Sequence, residues 1–161
     1  MSTPRTARTR GIDRRRVLAG TAGTVLAVAL RPAAAASLPR TETTDSAIRR
    51  FAGDSPIRPG RVRLDLPPLV ENGNTVPLAV SVESPMTPED HVRRIGVFNE
   101  KNPQPNVVTV HLRPGAGRAQ VATRIRLADT QRITAIAEMS DGTYWSASAD
   151  AIVTLAACLE G

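Results

Sequence analysis

The feature of this sequence that most constrains its fold is an alternation of apolar and polar residues in three separate segments. Residues 78–83, 108–113 and 121–127 each carry an apolar or β-branched residue at every second position. Successive side chains of a β-strand point to opposite faces, so a period of two predicts strands with one buried face, as in antiparallel sheets. The predicted inward positions are Leu78, Val80, Val82, Val108, Val110, Leu112, Val121, Thr123, Ile125 and Leu127.

Further strands are predicted near residues 61–66, 92–98, 132–139 and 143–155. Seven or so short strands within roughly 100 residues favour an all-β fold, an immunoglobulin-like antiparallel β-sandwich over residues 61–155. The disulfide of antibody domains is excluded, because the sequence holds a single cysteine.

Turn-forming residues separate the strands at three places: Asn-Gly-Asn at 72–74, Pro-Gly-Ala-Gly at 114–117 and Ser-Asp-Gly at 140–142. The glycines of 114–117 predict a hairpin rather than a phosphate-binding loop. Thr87-Pro88-Glu89-Asp90 has the pattern of a capping box with proline at the first helical position, which predicts one helical turn there.

A short helix is predicted ahead of the sandwich, from Asp45 to Ala52. Asp45 would cap its start, and Gly53 would end it. Residues 37–44 are polar and predict a mobile N-terminus, whereas two prolines and a glycine in residues 54–60 predict a connector. The mobile N-terminus and the short helix thus occupy residues 37–60.

Residues 1–36 have the organisation of a cleaved export signal. Arg14 and Arg15 begin a twin-arginine pattern (Arg-Arg-Arg-Val-Leu), which predicts export to the periplasm. The uncharged run at 17–30 is shorter than the roughly 20 residues that a spanning helix needs, so an uncleaved anchor is disfavoured. Four alanines at 33–36 supply a cleavage site.

The basic character of the sequence belongs to this leader. Of 21 Lys and Arg residues and 15 Asp and Glu residues, seven arginines and one acid lie in residues 1–36, which leaves 14 of each sign. A neutral domain offers no positive field for nucleic acid, and no membrane contact is expected once the leader is cleaved. Neutrality also favours a permanent protein partner that covers part of the surface.

The remaining chain lacks the residue patterns of an autonomous enzyme. It has no phosphate-binding, dinucleotide-binding, nucleophile-elbow or zinc-protease motif, so neither a catalytic residue nor a cofactor nor a metal is predicted. His91 and His111 are twenty residues apart, without ligand spacing, and are expected on the surface. Four acids at predicted strand ends or in loops are expected to be solvated: Glu71, Glu83, Glu100 and Glu138.

Cys158 is the exception. A lone cysteine in an exported protein suggests a reactive thiol or an intermolecular disulfide. It follows the last predicted strand by three residues, so an extended segment would place it about 10 Å beyond that strand. No cation lies near it in sequence, whereas Glu160 and the terminal carboxylate do, and negative charge disfavours the thiolate. The residue therefore suits a handle on which other proteins act.

Five segments resemble the SoxY sulfur carriers of bacterial thiosulfate oxidation. They read ENGNTVP at 71–77, VESPM at 82–86, FNEKNPQPNV at 98–107, TRIRLADTQ at 123–131 and AEMSDGTYW at 137–145. The twin-arginine leader and the cysteine near the C-terminus are similar too. The resemblance covers essentially the whole chain after the leader.

This resemblance implies an immunoglobulin-like fold and a heterodimer with SoxZ, itself a small β-sandwich. It implies a carrier rather than an enzyme, with Cys158 as the covalent sulfur attachment site on a C-terminal arm of residues 156–161. Separate periplasmic Sox enzymes would visit the arm in transient contacts. A c-type cytochrome pair would join thiosulfate to the thiol, a hydrolase would release sulfate, and in some organisms a sulfane dehydrogenase would oxidise the remaining sulfur.

The arm departs from the usual pattern of the family, Gly-Gly-Cys-Gly-Gly. The residues beside the cysteine are Ala156, Ala157, Leu159, Glu160 and Gly161. Alanine stiffens the backbone relative to glycine, and Leu159 and Glu160 add bulk and charge beside the thiol. Three interpretations therefore stay open: a covalent carrier, a degenerate paralogue that acts as a non-carrying structural or regulatory subunit, and a secreted thiol protein that forms an intermolecular disulfide.

Overall fold

A computed structural model describes residues 42–158 of the chain. The predicted leader, with Arg14 and Arg15, lies outside the described residues, as do Leu159, Glu160 and Gly161. The described part contains one helix and nine strands in this order: α1 (Thr44–Ala52), β1 (Ile57–Pro59), β2 (Val62–Asp65), β3 (Leu69–Val70), β4 (Val76–Val82), β5 (Val92–Asn99), β6 (Asn106–His111), β7 (Ala119–Ile125), β8 (Gln131–Met139) and β9 (Tyr144–Val153).

The strands form two sheets. The larger has the order β1-β9-β8-β5-β6, with β3 also paired to β9, and the smaller has the order β2-β4-β7. Most neighbours are antiparallel, whereas β1 and β3 run parallel to β9. The predicted all-β, immunoglobulin-like sandwich with a short N-terminal helix is confirmed.

The core lies between the two sheets and follows the period-two pattern. Leu78, Val80 and Val82 are buried on β4, as predicted. Ile95 and Ile133 face them from the larger sheet and have no exposed surface. Burial of an aliphatic side chain of this size contributes about 1.5–3 kcal/mol, so this layer is the main source of stability.

A second, smaller cluster fixes α1 to the outer face of the larger sheet. The ring of Phe51 meets Phe98 and Tyr144 edge-on, at centroid distances of 5.6 and 6.2 Å. The helix begins one residue earlier than predicted, and its cap is Thr43, whose hydroxyl accepts from the backbone N–H of Ser46. Asp45 instead lies in the first turn, where a carboxylate complements the helix dipole.

Two short strands were missed by the sequence analysis. The predicted connector at 54–60 contains β1, and β3 lies between the predicted strands at 61–66 and 78–83. Strands of three and two residues are too short to show a period of two. Both form because β9 offers a free edge on which they pair in parallel.

Two predictions about loops were wrong. Residues 87–90 form no helical turn, although Thr87 does accept a hydrogen bond from the backbone N–H of Asp90 as a cap would. Residues 114–117 form no hairpin, because β6 and β7 belong to different sheets and this turn carries the chain from one sheet to the other. Gly115 and Gly117 have φ of 87° and 77°, which explains the glycines.

Burial is incomplete on β6 and β7. Val108, Val110, Leu112 and Val121 are only partly buried, and Thr123 is exposed. Both strands lie at the edge of their sheet, where a neighbouring strand covers one side alone. The predicted face of β7 is right, whereas β6 is partly buried on both faces and Val107 also packs against the core. Alternation did not reveal which strands are central.

Candidate functional site: the C-terminal thiol

Cys158 is a free, exposed cysteine beyond the end of the sandwich. It follows β9, which ends at Val153. The residues between them do not extend away from the domain as the sequence suggested. They lie along it, and we call residues 155–158 the C-terminal segment.

Three hydrogen bonds attach this segment to two neighbouring loops. The backbone N–H of Gly73 donates to the carbonyl of Leu155 at 2.7 Å, and that of Ala157 donates to the carbonyl of Leu127 at 2.9 Å. The backbone N–H of Cys158 donates to the side-chain Oδ1 of Asn74 at 3.2 Å. Of the predicted arm residues, Ala156 is exposed and Ala157 is buried.

The turn at 72–74 is shaped to receive the segment. A Cβ on Gly73 would stand 2.4 Å from the Leu127 carbonyl oxygen and 2.8 Å from the Ala157 nitrogen, so only glycine fits there. The Oδ1 atom of Asn72 accepts from both the backbone N–H and the side-chain Nδ2 of Asn74. Because Nδ2 is occupied in this way, Oδ1 of Asn74 is left to face Cys158.

The sequence indicates a turn at residues 72–74, within the segment 71–77 that resembles SoxY, but does not connect this turn with Cys158. Asn74 and Cys158 are 84 residues apart, and no local pattern connects residues at such a separation. The local signal for the turn was the asparagine pair around Gly73, because asparagine favours turns through hydrogen bonds to nearby backbone.

An apolar patch adjoins the segment. Leu69, Ile152 and Leu155 are the large hydrophobic residues that stand out to solvent in the described part of the chain, each more than half exposed. Leu69 and Ile152 are register partners in the parallel pair of β3 and β9, so their side chains share one face. Leu155 is the first residue of the C-terminal segment, so the patch lies next to the residues that lead to Cys158.

The two histidines lie far from Cys158. His91 and His111 border a cleft of about 610 Å³ with Arg93, Arg113 and other residues of β5, β6 and β8. The cleft lies at the β8–β9 hairpin end, whereas Cys158 follows the other end of the ten-residue β9. At about 3.3 Å per residue these ends are on the order of 30 Å apart.

Both histidines occupy surface positions, as expected. His91 is hydrogen-bonded through Nδ1 to the Thr87 carbonyl, and His111 is exposed. Among residues 42–158, no three His, Cys, Asp or Glu side chains are grouped so that they could hold a metal ion. The same residues include no helix with the length and apolar character required to cross a membrane.

Glu138 is not the solvated acid that the sequence suggested. It lies within β8, is 7% exposed, and pairs with Arg93 and Arg94. Burial alone would lower the pKa of Arg94, but hydrogen bonds and charge attraction involving Glu138 and Tyr144 leave that pKa raised. Arg94 also donates to the Phe51 carbonyl at 2.7 Å and lies over the Phe51 ring. The ion pair of Glu138 and Arg94 therefore links the larger sheet to α1.

The family described as "Sulfur oxidation protein SoxY" matches residues 48–158, a match that ends at Cys158. The structure is similar to that of the sulfur carrier protein SoxY from Chlorobium limicola f. thiosulfatophilum. The TM-score is 0.59 at 26% identity, and the similarity covers 69% of this chain and 96% of the other. No curated protein shows significant sequence similarity to the chain.

Superoxide reductases share the fold alone. The superoxide reductase (neelaredoxin) from Ignicoccus hospitalis has a TM-score of 0.52 at 20% identity, over 58% of this chain and 80% of its own. The superoxide reductase from Nanoarchaeum equitans has a TM-score of 0.50 at 12% identity, and the similarity covers 59% of this chain and 99% of the other. The family match spans more than half of the sequence and includes the thiol, and the chain belongs to the SoxY family of sulfur oxidation proteins.

Proposed function

We propose that this protein is a covalent sulfur carrier subunit of the periplasmic, thiosulfate-oxidising Sox system, and that Cys158 holds the sulfur. The observation that carries the proposal is the exposed, unpaired thiol at the end of the region that matches the SoxY family. A carrier needs its attachment atom open to several enzymes in turn, and a thiol beyond the last strand meets that need.

The carrier chemistry balances without a catalytic group on this chain. The Cys158 thiol and thiosulfate would together lose two electrons to an electron-accepting cytochrome pair and one proton to water, forming the S–S bond of a cysteine S-thiosulfonate. Water would then cleave the bond between sulfane sulfur and sulfonate, releasing sulfate and leaving a persulfide on Cys158. Covalent attachment holds the reactive sulfur at high effective concentration through both steps.

A second subunit completes the proposal. Proteins of the SoxY family pair with SoxZ, and the apolar patch of Leu69, Ile152 and Leu155 leaves hydrophobic surface for such a partner. The near-zero charge of the chain after residue 36 points the same way. We expect a small β-sandwich protein to co-purify with this chain from its native periplasm.

The proposal is tested by the intact mass of the protein from periplasm of cells grown on thiosulfate, measured with and without reductant. Reductant-sensitive adducts of sulfane or thiosulfonate mass that disappear in Cys158→Ser would support it. A bare thiol in cells that actively oxidise thiosulfate, with normal oxidation by Cys158→Ser cells, would establish a non-carrying paralogue instead. A disulfide-linked species as the main form would favour the redox thiol protein.

The non-carrying alternative has one observation in its favour. Ala157 is buried and hydrogen-bonded against the domain, where the usual glycines of the family would leave the backbone freer. The mass measurement separates the two functions, because a held arm that still carries sulfur would show the adducts.

A further inference from the structure

We propose that Asn74 is a positioning residue for the carrier thiol. Its side chain holds the backbone of Cys158 against the domain, and release of this hydrogen bond frees the thiol to enter a narrow or distant site. The importance of this step for sulfur transfer rests on the proposed function, but the positioning itself can be measured without sulfur transfer.

The C-terminal segment is held by contacts of two kinds. The bonds at Leu155 and Ala157 join backbone to backbone, to Gly73 and Leu127. The bond at Cys158 is the last along the described chain, and a side chain provides its acceptor. Asn74 therefore controls the residue that bears the thiol, while the two earlier bonds hold the residues before it.

The Asn74 side chain is held in the orientation that the contact needs. Asn72 Oδ1 accepts from Asn74 Nδ2 at 3.2 Å and from its backbone N–H at 3.0 Å. An oriented amide has less conformational freedom to lose when Cys158 docks, which strengthens the contact relative to a freely rotating side chain.

The bond is also placed where it can break. It lies in an exposed setting, where water can replace either partner. One such hydrogen bond shifts an equilibrium by about 0.5–1.5 kcal/mol, which corresponds to roughly twofold to twelvefold. The bond thus favours the docked state by a small amount, and an enzyme that binds the free segment could still extract it.

Two maleimides of different size test this inference on the exported protein, isolated with any subunit that accompanies it. N-ethylmaleimide reaches an exposed thiol whether or not the segment is docked, whereas a maleimide on a large polyethylene glycol needs clearance from the domain. We expect Asn74→Ala to raise the ratio of the large-reagent rate to the small-reagent rate by about twofold to twelvefold. Hydrogen exchange at the Cys158 amide should accelerate by a similar factor.

Two further variants make the result specific. Asn74→Asp keeps an oxygen acceptor for the Cys158 N–H but loses the donation from Nδ2 to Asn72, so its ratio and exchange rate should lie between those of wild type and Asn74→Ala. Its added charge affects both maleimides alike and cancels in the ratio. Asn106→Ala removes an exposed asparagine that bonds to Thr109 on the edge strand β6, and should change neither quantity.

The inference fails if folded Asn74→Ala keeps the wild-type ratio and exchange rate, or if Asn106→Ala changes both as much as Asn74→Ala does. It fails equally if both reagents accelerate together, because access would then not depend on docking. Absence of sulfur adducts in the mass experiment, with the expected maleimide ratios, would overturn the carrier function and leave the positioning intact.

Discussion

The backbone nitrogen of Ala157 lies 2.8 Å from the point where a Cβ of Gly73 would stand. The Ala157 N–H donates to the carbonyl of Leu127, while Leu127 donates in turn to the carbonyl of Gly73. Three chain segments that are distant in sequence are therefore in direct backbone contact. The missing side chain of Gly73 is what permits this contact and brings the C-terminal segment to its place.

Gly73→Ala should displace the C-terminal segment, because its Cβ would collide with backbone atoms that cannot rotate away. We expect a loss of about 1–3 kcal/mol in the free energy of unfolding, as for an overpacked site, and loss of hydrogen-exchange protection at the Ala157 amide. Urea denaturation and exchange mass spectrometry measure the two effects.

Gly115→Ala is the matched control for this substitution. Gly115 has φ of 87° with open space around its Cβ position, so alanine there strains the backbone without touching the C-terminal segment. Some stability should be lost while the Ala157 amide stays protected. Equal protection in both variants would show that Gly73 does not shape the contact.

Glu138→Ala should destabilise the domain by about 2–3 kcal/mol, since it leaves the half-buried Arg94 without its carboxylate partner. The loss should include weaker docking of α1, because Arg94 also donates to the Phe51 carbonyl. Urea denaturation measures the change. Asp150→Asn, which breaks the exposed pair with Arg132, should have little effect, and a similar loss in both variants would contradict this account.

Phe51→Ala should release α1 from the larger sheet, because the ring provides the edge-on contacts with Phe98 and Tyr144. We expect the free energy of unfolding to fall by about 3 kcal/mol and the helical circular dichroism signal to be lost. Ile48→Ala, on the same helix but only partly buried, should cost less. Retention of full helicity in Phe51→Ala would mean that local propensity alone maintains the helix.

Asp141 should make the β8–β9 hairpin sensitive to acid. The backbone N–H of Thr143, followed by its hydroxyl, donates to the carboxylate and lowers the pKa of Asp141 below its ordinary value of 3.8. A lowered folded-state pKa adds stability that is present above the unfolded value and is lost as pH falls through the folded value. Asp141→Ala should thus be less stable than wild type at neutral pH. The difference in stability between the two proteins should become smaller below pH 3.8.

Thermal unfolding midpoints between neutral and acidic pH test this prediction. Asp54→Ala serves as the control, because it removes an equal charge from an exposed position outside the β8–β9 hairpin. If the difference in unfolding midpoint between wild type and Asp141→Ala stays constant as the pH falls, the carboxylate charge is not the cause of that difference.

The sequence by itself determined the class of fold and the position of the thiol. Alternation along residues 78–82 predicted a strand with one buried face, and the structure buries Leu78, Val80 and Val82. The Ser-Asp-Gly turn predicted the end of β8 and the start of β9. These features follow from a periodicity or a turn preference that a few neighbouring residues contain, so they can be recognised locally.

Only the tertiary structure decided how distant segments meet. Which strands lie at a sheet edge, and so why Thr123 is exposed, depends on pairing between remote strands. The burial of Glu138 depends on two arginines of β5, and the anchoring of Cys158 depends on an asparagine 84 residues away. Such contacts arise when the sheets pack and the loops at their ends come together. A local sequence pattern does not predict which distant residues will then be neighbours.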